Sequence, residues 1–295
     1  GTTAWSGGWL WIPRNPLAVR AGIVEDEAEP RRYLASELGA ASVEDPRLAV
    51  FLREGPEMVR FFEERTAVAF IDGNRMPDFH ATPGHATGGR SVAAAPYDGR
   101  ELGPWLGKLR PPLDLISVGG MGIASGADLN HFVNATRSPA SAWYAAKRFL
   151  RHGWDLVSRG RGTRLVNGNA LAARLLRSAL DRGVTVRVEA PAEAMLVEDG
   201  RVVGVRLPTG AVRARRGVVL ATGGFPHDAA RVSALFTHPR HHSAAPESNS
   251  GDGLRLGEAA GGTVAEDLAH PGAWAPVSLV PRSDGGVGRF PHLVE

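Results

Sequence analysis

The side chains able to do chemistry fall in a few short stretches. Imidazoles exchange protons near neutral pH, and His80 and His85 stand in "DFHATPGHATGGR", a glycine- and proline-rich run closed by Arg90. The alternative for both is an ordinary solvated loop histidine. "HPRHH", His238 to His242, imitates a metal cluster but lacks a supporting carboxylate pattern, so it reads as solvated loop and no metal is expected. "GVVLATGGF", Gly217 to Phe225, runs from apolar residues into glycines. Glycines at the carboxyl end of a strand let a ligand approach the backbone closely, and that is where α/β sheets bind ligands. Taken alone, "TGG" is equally an ordinary strand-to-helix turn. "GGMGIASG", Gly119 to Gly126, resembles a dinucleotide fingerprint. Its spacing is Gly120-x-Gly122-x-x-x-Gly126, and no predicted helix or acid follows at the proper distance, so it is a decoy.

Composition removes several classes of function. The chain has no cysteine, which excludes disulfides, thiolate metal sites and a cysteine nucleophile. Its net charge is only +3, and Lys108 and Lys147 are the only lysines. The arginines are scattered rather than gathered into a basic stripe, so nucleic acid is not an expected partner. No run approaches the roughly 18 apolar residues of a membrane span, and a cytoplasmic protein is expected.

The elements that must position these residues follow from periodicity and caps. Residues 1–22 read as loop and short extended pieces. A helix is expected in "EDEAEPRRYLASELGA", with acids in its first turn and Gly39 near its end. "PRLAVFLREGPEMVRFFEER", Pro46 to Arg65, reads as two short helices broken at "GP". Between Ala67 and about Leu115 the chain reads as long and irregular, a kind of loop that is usually functional or disordered; its aromatics argue for order. Helices resume over Ser138–Gly160 and Gly168–Gly183. The period then shortens to 2. Strands are expected at Val184–Ala190, Glu193–Asp199, Arg201–Pro208 and Ala211–Arg216, then a strand buried on both faces at Gly217–Phe225, and a helix in "PHDAARVSALF".

In order along the chain, "GTTAWSGGWLWIP", "PGHATGGRSVAAAPYDGRELG", "RGTRLVNGNALAARLLRSALDRGV", "VEDGRVVGV", "GVVLATGGF", "GDGLRLGEAAGG" and "GRFPHLVE" resemble one family. It is the fumarate reductase/succinate dehydrogenase flavoprotein superfamily, and within it the 3-ketosteroid-dehydrogenase-like FAD-binding oxidoreductases. The resemblance implies an α/β protein: a Rossmann-like FAD-binding domain with a three-stranded meander, over residues 1–24 and 161–270, and an inserted α+β capping domain over 25–160 and 271–295. It also implies that the chain is a piece lacking an upstream Gly-x-Gly-x-x-Gly fingerprint and a C-terminal closure.

The same resemblance assigns roles. Gly1, Thr2, Thr3 and Ala4 would lie beside the FAD phosphates and ribityl chain, and Ser6, Gly7 and Gly8 near the ring. Pro191 and Ala192 would meet the adenine. Ala221, Thr222, Gly223 and Gly224 would pass the phosphate and ribose, and Gly251, Asp252 and Gly253 would open a helix near the flavin, simple capping by Asp252 being the alternative. His80, His85, Arg90 and Tyr97 are the candidate catalytic groups, with packing the default for Tyr97. The steroid enzymes tend to carry Asp-Tyr where this chain has Asp78-Phe79. Trp274 and His292 would lie near the flavin or pack beneath it. The implied reaction is FAD-dependent oxidation or reduction of a carbon–carbon bond beside a carbonyl in an apolar, steroid-like substrate, with an unknown electron acceptor. Two alternatives stay open: a catalytically silent scaffold or interaction module, and a fumarate-reductase-like enzyme acting on a small dicarboxylate.

Overall fold

A computed structural model describes the chain except for residues 125, 237–240, 266, 267, 269, 283, 284 and 293–295. Packing divides it into two compact units, one of Thr3–Val184 and one of Gly1–Thr2 with Thr185–Leu293.

In the first unit, β1 (Trp9–Trp11) leads into α1 (Pro16–Arg20) through Asn15, whose side chain accepts from the Ala18 N–H. The Asn15 amide donates to the carbonyls of Ile12 and Gly89 at 2.9 and 3.0 Å, so this fully buried residue sets the turn. α2 (Ala28–Leu38) ends before Gly39, as expected. α3 (Pro46–Arg65) is capped by Asp45, with Pro46 at its first position. It is one helix, not two, and Pro56 lies inside it. Proline removes the N–H that would bond the Leu52 carbonyl. That carbonyl instead accepts from Arg14 Nη2 at 3.3 Å, and Leu52, Gly55 and Val59 stay buried along one face.

The stretch expected to be irregular contains β2 (Phe70–Asp72), β3 (Ser91–Ala94) and β4 (Tyr97–Asp98). β3 pairs antiparallel with β1 on one side and β2 on the other. All four of its residues are buried, which is why "SVAA" lacks the polar alternation that would reveal a strand. A 3₁₀ segment follows over Gly99–Lys108. The decoy glycines form a hairpin instead: β5 (Ser117–Val118) pairs with β6 (Met121–Gly122), and Gly119 and Gly120 turn at φ 56° and 82°. α4 (Ala127–Val133) precedes α5 (Pro139–Arg159), which Ser138 caps and left-handed Gly160 ends. β7 (Arg164–Leu165) pairs with β4, and α6 (Asn167–Asp181) follows. One core cluster gathers Ile12, Val59, Val68, Phe70 and Val92. A second joins Tyr97, Leu102, Leu106 and Leu109 to Ala170 and Ala173 of α6.

In the second unit, β8 (Ala194–Glu198), β9 (Arg201–Leu207) and β10 (Gly210–Arg213) form the expected antiparallel meander. The β8–β9 turn is Asp199-Gly200, both with positive φ. α7 (Ala229–Leu235) and α8 (Asp252–Ala259) follow, α8 packing on β8, and β11 (Val277–Pro281) pairs with β12 (Val287–Pro291). Two expected strands are not strands. Residues 184–190 and 217–225 join no ladder among the described residues, and none of 217–225 is buried. An apolar run becomes a central strand only where neighbouring backbones complete its hydrogen bonds on both edges. Among the described residues, no segment does so here.

Candidate cofactor-binding site

The opening residues Thr2–Trp5 form one 3₁₀ turn. Ser6 Oγ donates to the Thr3 carbonyl at 2.9 Å and accepts from Gly8 N at 3.2 Å, while the Ser6 carbonyl accepts from Gly168 N at 2.9 Å. The turn is thereby seated on the start of α6. Both glycines are required for the seat. A Cβ on Gly168 would stand 1.9 Å from the Thr3 carbonyl oxygen, and one on Gly8, at φ +72°, would stand 2.5 Å from the Asn167 carbonyl carbon. Asn169 donates to the Ala4 and Arg110 carbonyls at 3.4 and 2.7 Å, and Trp5 Nε1 donates to the Pro111 carbonyl at 3.1 Å. Sequence reasoning did not single out Asn167, Gly168 and Asn169. The available signal was "NGN", whose first residue takes the left-handed conformation (φ 55°) that Asn tolerates.

The second unit builds a separate cradle. Asn249, 6% exposed, donates from Nδ2 to Thr2 Oγ1 at 2.7 Å and packs against Gly223, which turns at φ +84°. Gly251 N donates to the Gly224 carbonyl at 3.2 Å, and a Cβ on Gly253 would reach within 2.1 Å of Thr222 Oγ1. Thr2, Thr222, Gly223, Gly224, Gly251 and Gly253 are thus brought together, with Asn249 as a contributor the sequence reading missed. The N-cap of α8 is Gly251, which has no side chain to cap with. Asp252 does not cap the helix; its carboxylate pairs with Arg255. The first-turn N–H groups of α8 therefore remain as a partial positive charge. Beside them opens a cleft of about 310 Å³ lined by Ala221, Thr222, Gly223, Gly253, Gly257 and Gly262. N–H donors, a threonine hydroxyl and a glycine-lined cleft are what a dinucleotide's phosphates need, so these residues fit FAD. Pro191 and Ala192 lie just before β8.

The candidate catalytic groups lie elsewhere. Arg90, 2% exposed, donates to Glu25 Oε1 at 2.6 Å and to Asp78 Oδ2 at 2.5 Å, and its guanidinium lies over the Trp11 and Tyr33 rings. Tyr97 is buried, its hydroxyl without a well-formed hydrogen bond; burial first, then the Glu101 carboxylate, push its phenol up to about 12. His80 is exposed, with Nδ1 2.5 Å from Glu37 Oε2. Hydrogen bonds from Thr82 and then His80 hold the Glu37 carboxyl below its usual range. His85 is exposed, with Nδ1 3.2 Å from the Thr82 carbonyl. In the "HPRHH" run, His238 lies outside the described residues; His241 packs beside Phe236, and burial first, then His242, lower its pKa. Trp274 meets Phe236 edge-on at 5.3 Å, and His292 Nε2 pairs with Ser278 Oγ at 2.7 Å.

The fold is that of the FAD-binding part of a flavoprotein. The chain belongs to the FAD-binding domain family, whose model matches residues 1–294, and its cofactor is FAD. Relatives are dehydrogenases of oxo compounds. The chain is 34% identical to the 4-oxocyclohex-2-ene-1-carboxylate 5-dehydrogenase of Sinomonas cyclohexanicum, over 99% of this chain and 50% of that protein. It is 31% identical to a 3-oxosteroid 1-dehydrogenase of Mycolicibacterium smegmatis, over 94% of this chain and 49% of the relative. The structure superposes on the crystal structure of 3-ketosteroid delta1-dehydrogenase from Sterolibacterium denitrificans, in complex with 1,4-androstadiene-3,17-dione, with a TM-score of 0.81 and 26% identity. That match covers 98% of this chain and 52% of the other. The chain spans about half the length of the curated relatives it matches. Among the described residues, no helix is long and apolar enough to cross a membrane.

Proposed function

We propose that the whole protein is a FAD-dependent dehydrogenase acting on a carbon–carbon bond beside a ring ketone, the feature that its carboxylate-bearing and steroid-handling relatives share. The observation that carries this reading is the joining of the 222–224 turn to the uncapped start of α8 through Gly251 N and the Gly224 carbonyl. Thr222, Gly223, Gly224 and the first-turn N–H groups of α8 would hold the FAD phosphates. FAD, when bound, supplies hydride acceptance or delivery. The protein's own share is to polarise the ketone, carry one proton and keep water out. Burial and pairing leave Arg90 as a framework group. His80, exposed and held by Glu37, keeps the chemistry for proton exchange.

The test is titration of the purified chain with FAD, followed by flavin absorbance and fluorescence. Uptake near one FAD per chain, weakened about tenfold in Asn249→Ala through loss of one buried hydrogen bond, supports the cradle. A folded chain that takes up no FAD overturns it. In the full-length protein, FAD bound without turnover of any ring ketone overturns the activity. A second reading, a chain that binds but is catalytically silent by itself, is favoured by residues 217–225, which join no ladder among the described residues.

A further inference from the structure

A surface helix ordinarily turns polar residues to water and apolar ones to the core. In α5 the order is reversed. Its buried positions include Ser141, Arg148 and Asp155, whereas Trp143, Leu150, Trp154 and Val157 stand 62%, 71%, 69% and 86% exposed. With Lys147, these residues follow one another in steps of four and three, so they share one flank of the helix. The small exposed residues Ala146 and Gly153 lie between them. Trp143 and Val157 are about 21 Å apart along the helix axis at its usual rise. Single exposed apolar side chains need no explanation, but a contiguous apolar strip marks an interaction surface.

The charges around this strip are of one sign. Over residues 127–160 the only acids are Asp128 and Asp155. Both are buried: Asp128 pairs with Arg148, and Asp155 accepts from the Thr163 N–H and hydroxyl. The exposed charges of this stretch are therefore the cations Arg137, Lys147, Arg151 and Arg159. Lys147 Nζ lies 5.7 Å from the centre of the Trp143 ring. Arg151 comes within 4.0 Å of Asp98, a carboxylate already bound to Arg100. An apolar helix flank carrying tryptophans, with cations beside it, suits the boundary of a lipid bilayer. Indoles settle at headgroup level, aliphatic side chains reach the acyl boundary, and Lys and Arg extend toward anionic headgroups. Two other occupants fit less well. A second copy would bring the same cations and no exposed acid from residues 127–160 to meet them. A protein partner needs roughly one hydrogen bond per 100–200 Å² of interface, and the strip offers only two indole N–H groups and the Lys147 ammonium.

We propose that the outward flank of α5 is a docking ridge that seats the protein on the surface of an anionic phospholipid bilayer. Trp143, Leu150, Trp154 and Val157 enter the interface, and Lys147 and Arg151 supply the attraction to the headgroups. The helix lies in the interface and does not cross it.

The test is vesicle flotation of the full-length protein and of this chain, with vesicles of phosphatidylcholine alone and of phosphatidylcholine mixed with phosphatidylserine. Both proteins should bind the mixed vesicles at least about tenfold more tightly than the neutral ones, and added salt should release them by screening the cations. The double variant Leu150→Asp, Trp154→Asp should weaken binding at least about tenfold by removing apolar burial. Lys147→Glu with Arg151→Glu should do the same on mixed vesicles. Val24→Asp, at a residue 95% exposed in the loop before α2, should change nothing. All five side chains are exposed, so these variants should keep the parent's circular dichroism. A full-length protein that does not float overturns the ridge, as does equal binding to neutral vesicles or unchanged binding in a folded Leu150→Asp, Trp154→Asp variant. Flotation of this chain but not of the full-length protein would show the flank covered by the rest of the polypeptide, and also overturns it. A full-length dimer that Leu150→Asp dissociates, without vesicle binding, would make a second copy the occupant and overturn it equally.

Discussion

Arg90 illustrates how packing decides what a polar side chain can do. Its position in a glycine-rich loop suggested a group facing substrate, yet its side chain and that of Asp78 are each only 2% exposed. Asp78 also accepts from Trp11 Nε1 at 2.7 Å and from the Ala86 N–H at 2.9 Å. Removing one partner of such a pair leaves an uncompensated buried charge. Arg90→Met should therefore lower unfolding stability by about 3–5 kcal/mol in urea titration; a change below about 1 kcal/mol, with activity lost, would return Arg90 to a role at the substrate. Tyr97 follows the same logic. With its phenol pushed up to about 12 by burial and then Glu101, it stays protonated at neutral pH and can donate but not act as a base. Asn249 is the converse, a residue with no motif to advertise it that becomes the clamp on Thr2 because distant segments converge there.

At the scale of elements, the helices legible in the sequence are those whose ends are written locally. Asp45-Pro46 and Ser138-Pro139 start α3 and α5, and Gly160 stops α5. The continuity of α3 through Pro56 was not legible, because it depends on Arg14, 38 residues away, reaching the freed Leu52 carbonyl. A double-mutant cycle reads this directly. Arg14→Ala should cost about 1 kcal/mol in the parent and less in Pro56→Ala, where a backbone N–H can bond Leu52 instead; equal costs would show that Arg14 does not serve that carbonyl. The contact between α4 and α5 predicts a pH dependence. Burial raises the Asp128 pKa, but hydrogen bonds from Tyr144 at 2.6 Å, the Ala124 N–H at 2.9 Å and Arg148 at 2.6 Å outweigh it, and the net value is lowered. A lowered carboxyl contributes stability that is present above the ordinary Asp value of about 3.9 and is lost as pH falls through the folded value. Asp128→Asn should thus cost about 3 kcal/mol at pH 7, and the gap to the parent should close as pH falls below about 4. A gap independent of pH would contradict the lowered carboxyl.

At the scale of the whole molecule, each unit has its own logic. The first is held by two apolar clusters around α3, β3 and α6, and the second contains the meander with α8 packed on β8. Within the second unit, Val219 is 89% exposed in the run 217–225, which joins no ladder among the described residues. Backbone N–H groups outside a ladder exchange with solvent rapidly. In hydrogen exchange on this chain, the amides of 217–222 should label at the earliest times while those of β9 stay protected. Equal protection would place 217–222 in a ladder after all. By itself the sequence determined the family, through the motifs it shares with it, and the capped helices and the meander, because caps, turns and periodicity act between residues a few positions apart. Only the tertiary structure decided that α3 is unbroken, that Arg90 is framework, that Asn249 holds Thr2, that 217–225 lacks ladder partners among the described residues, and that α5 turns its apolar flank outward. Those outcomes rest on hydrogen-bond partners and counter-charges supplied from far along the chain, and no local pattern specifies such pairings.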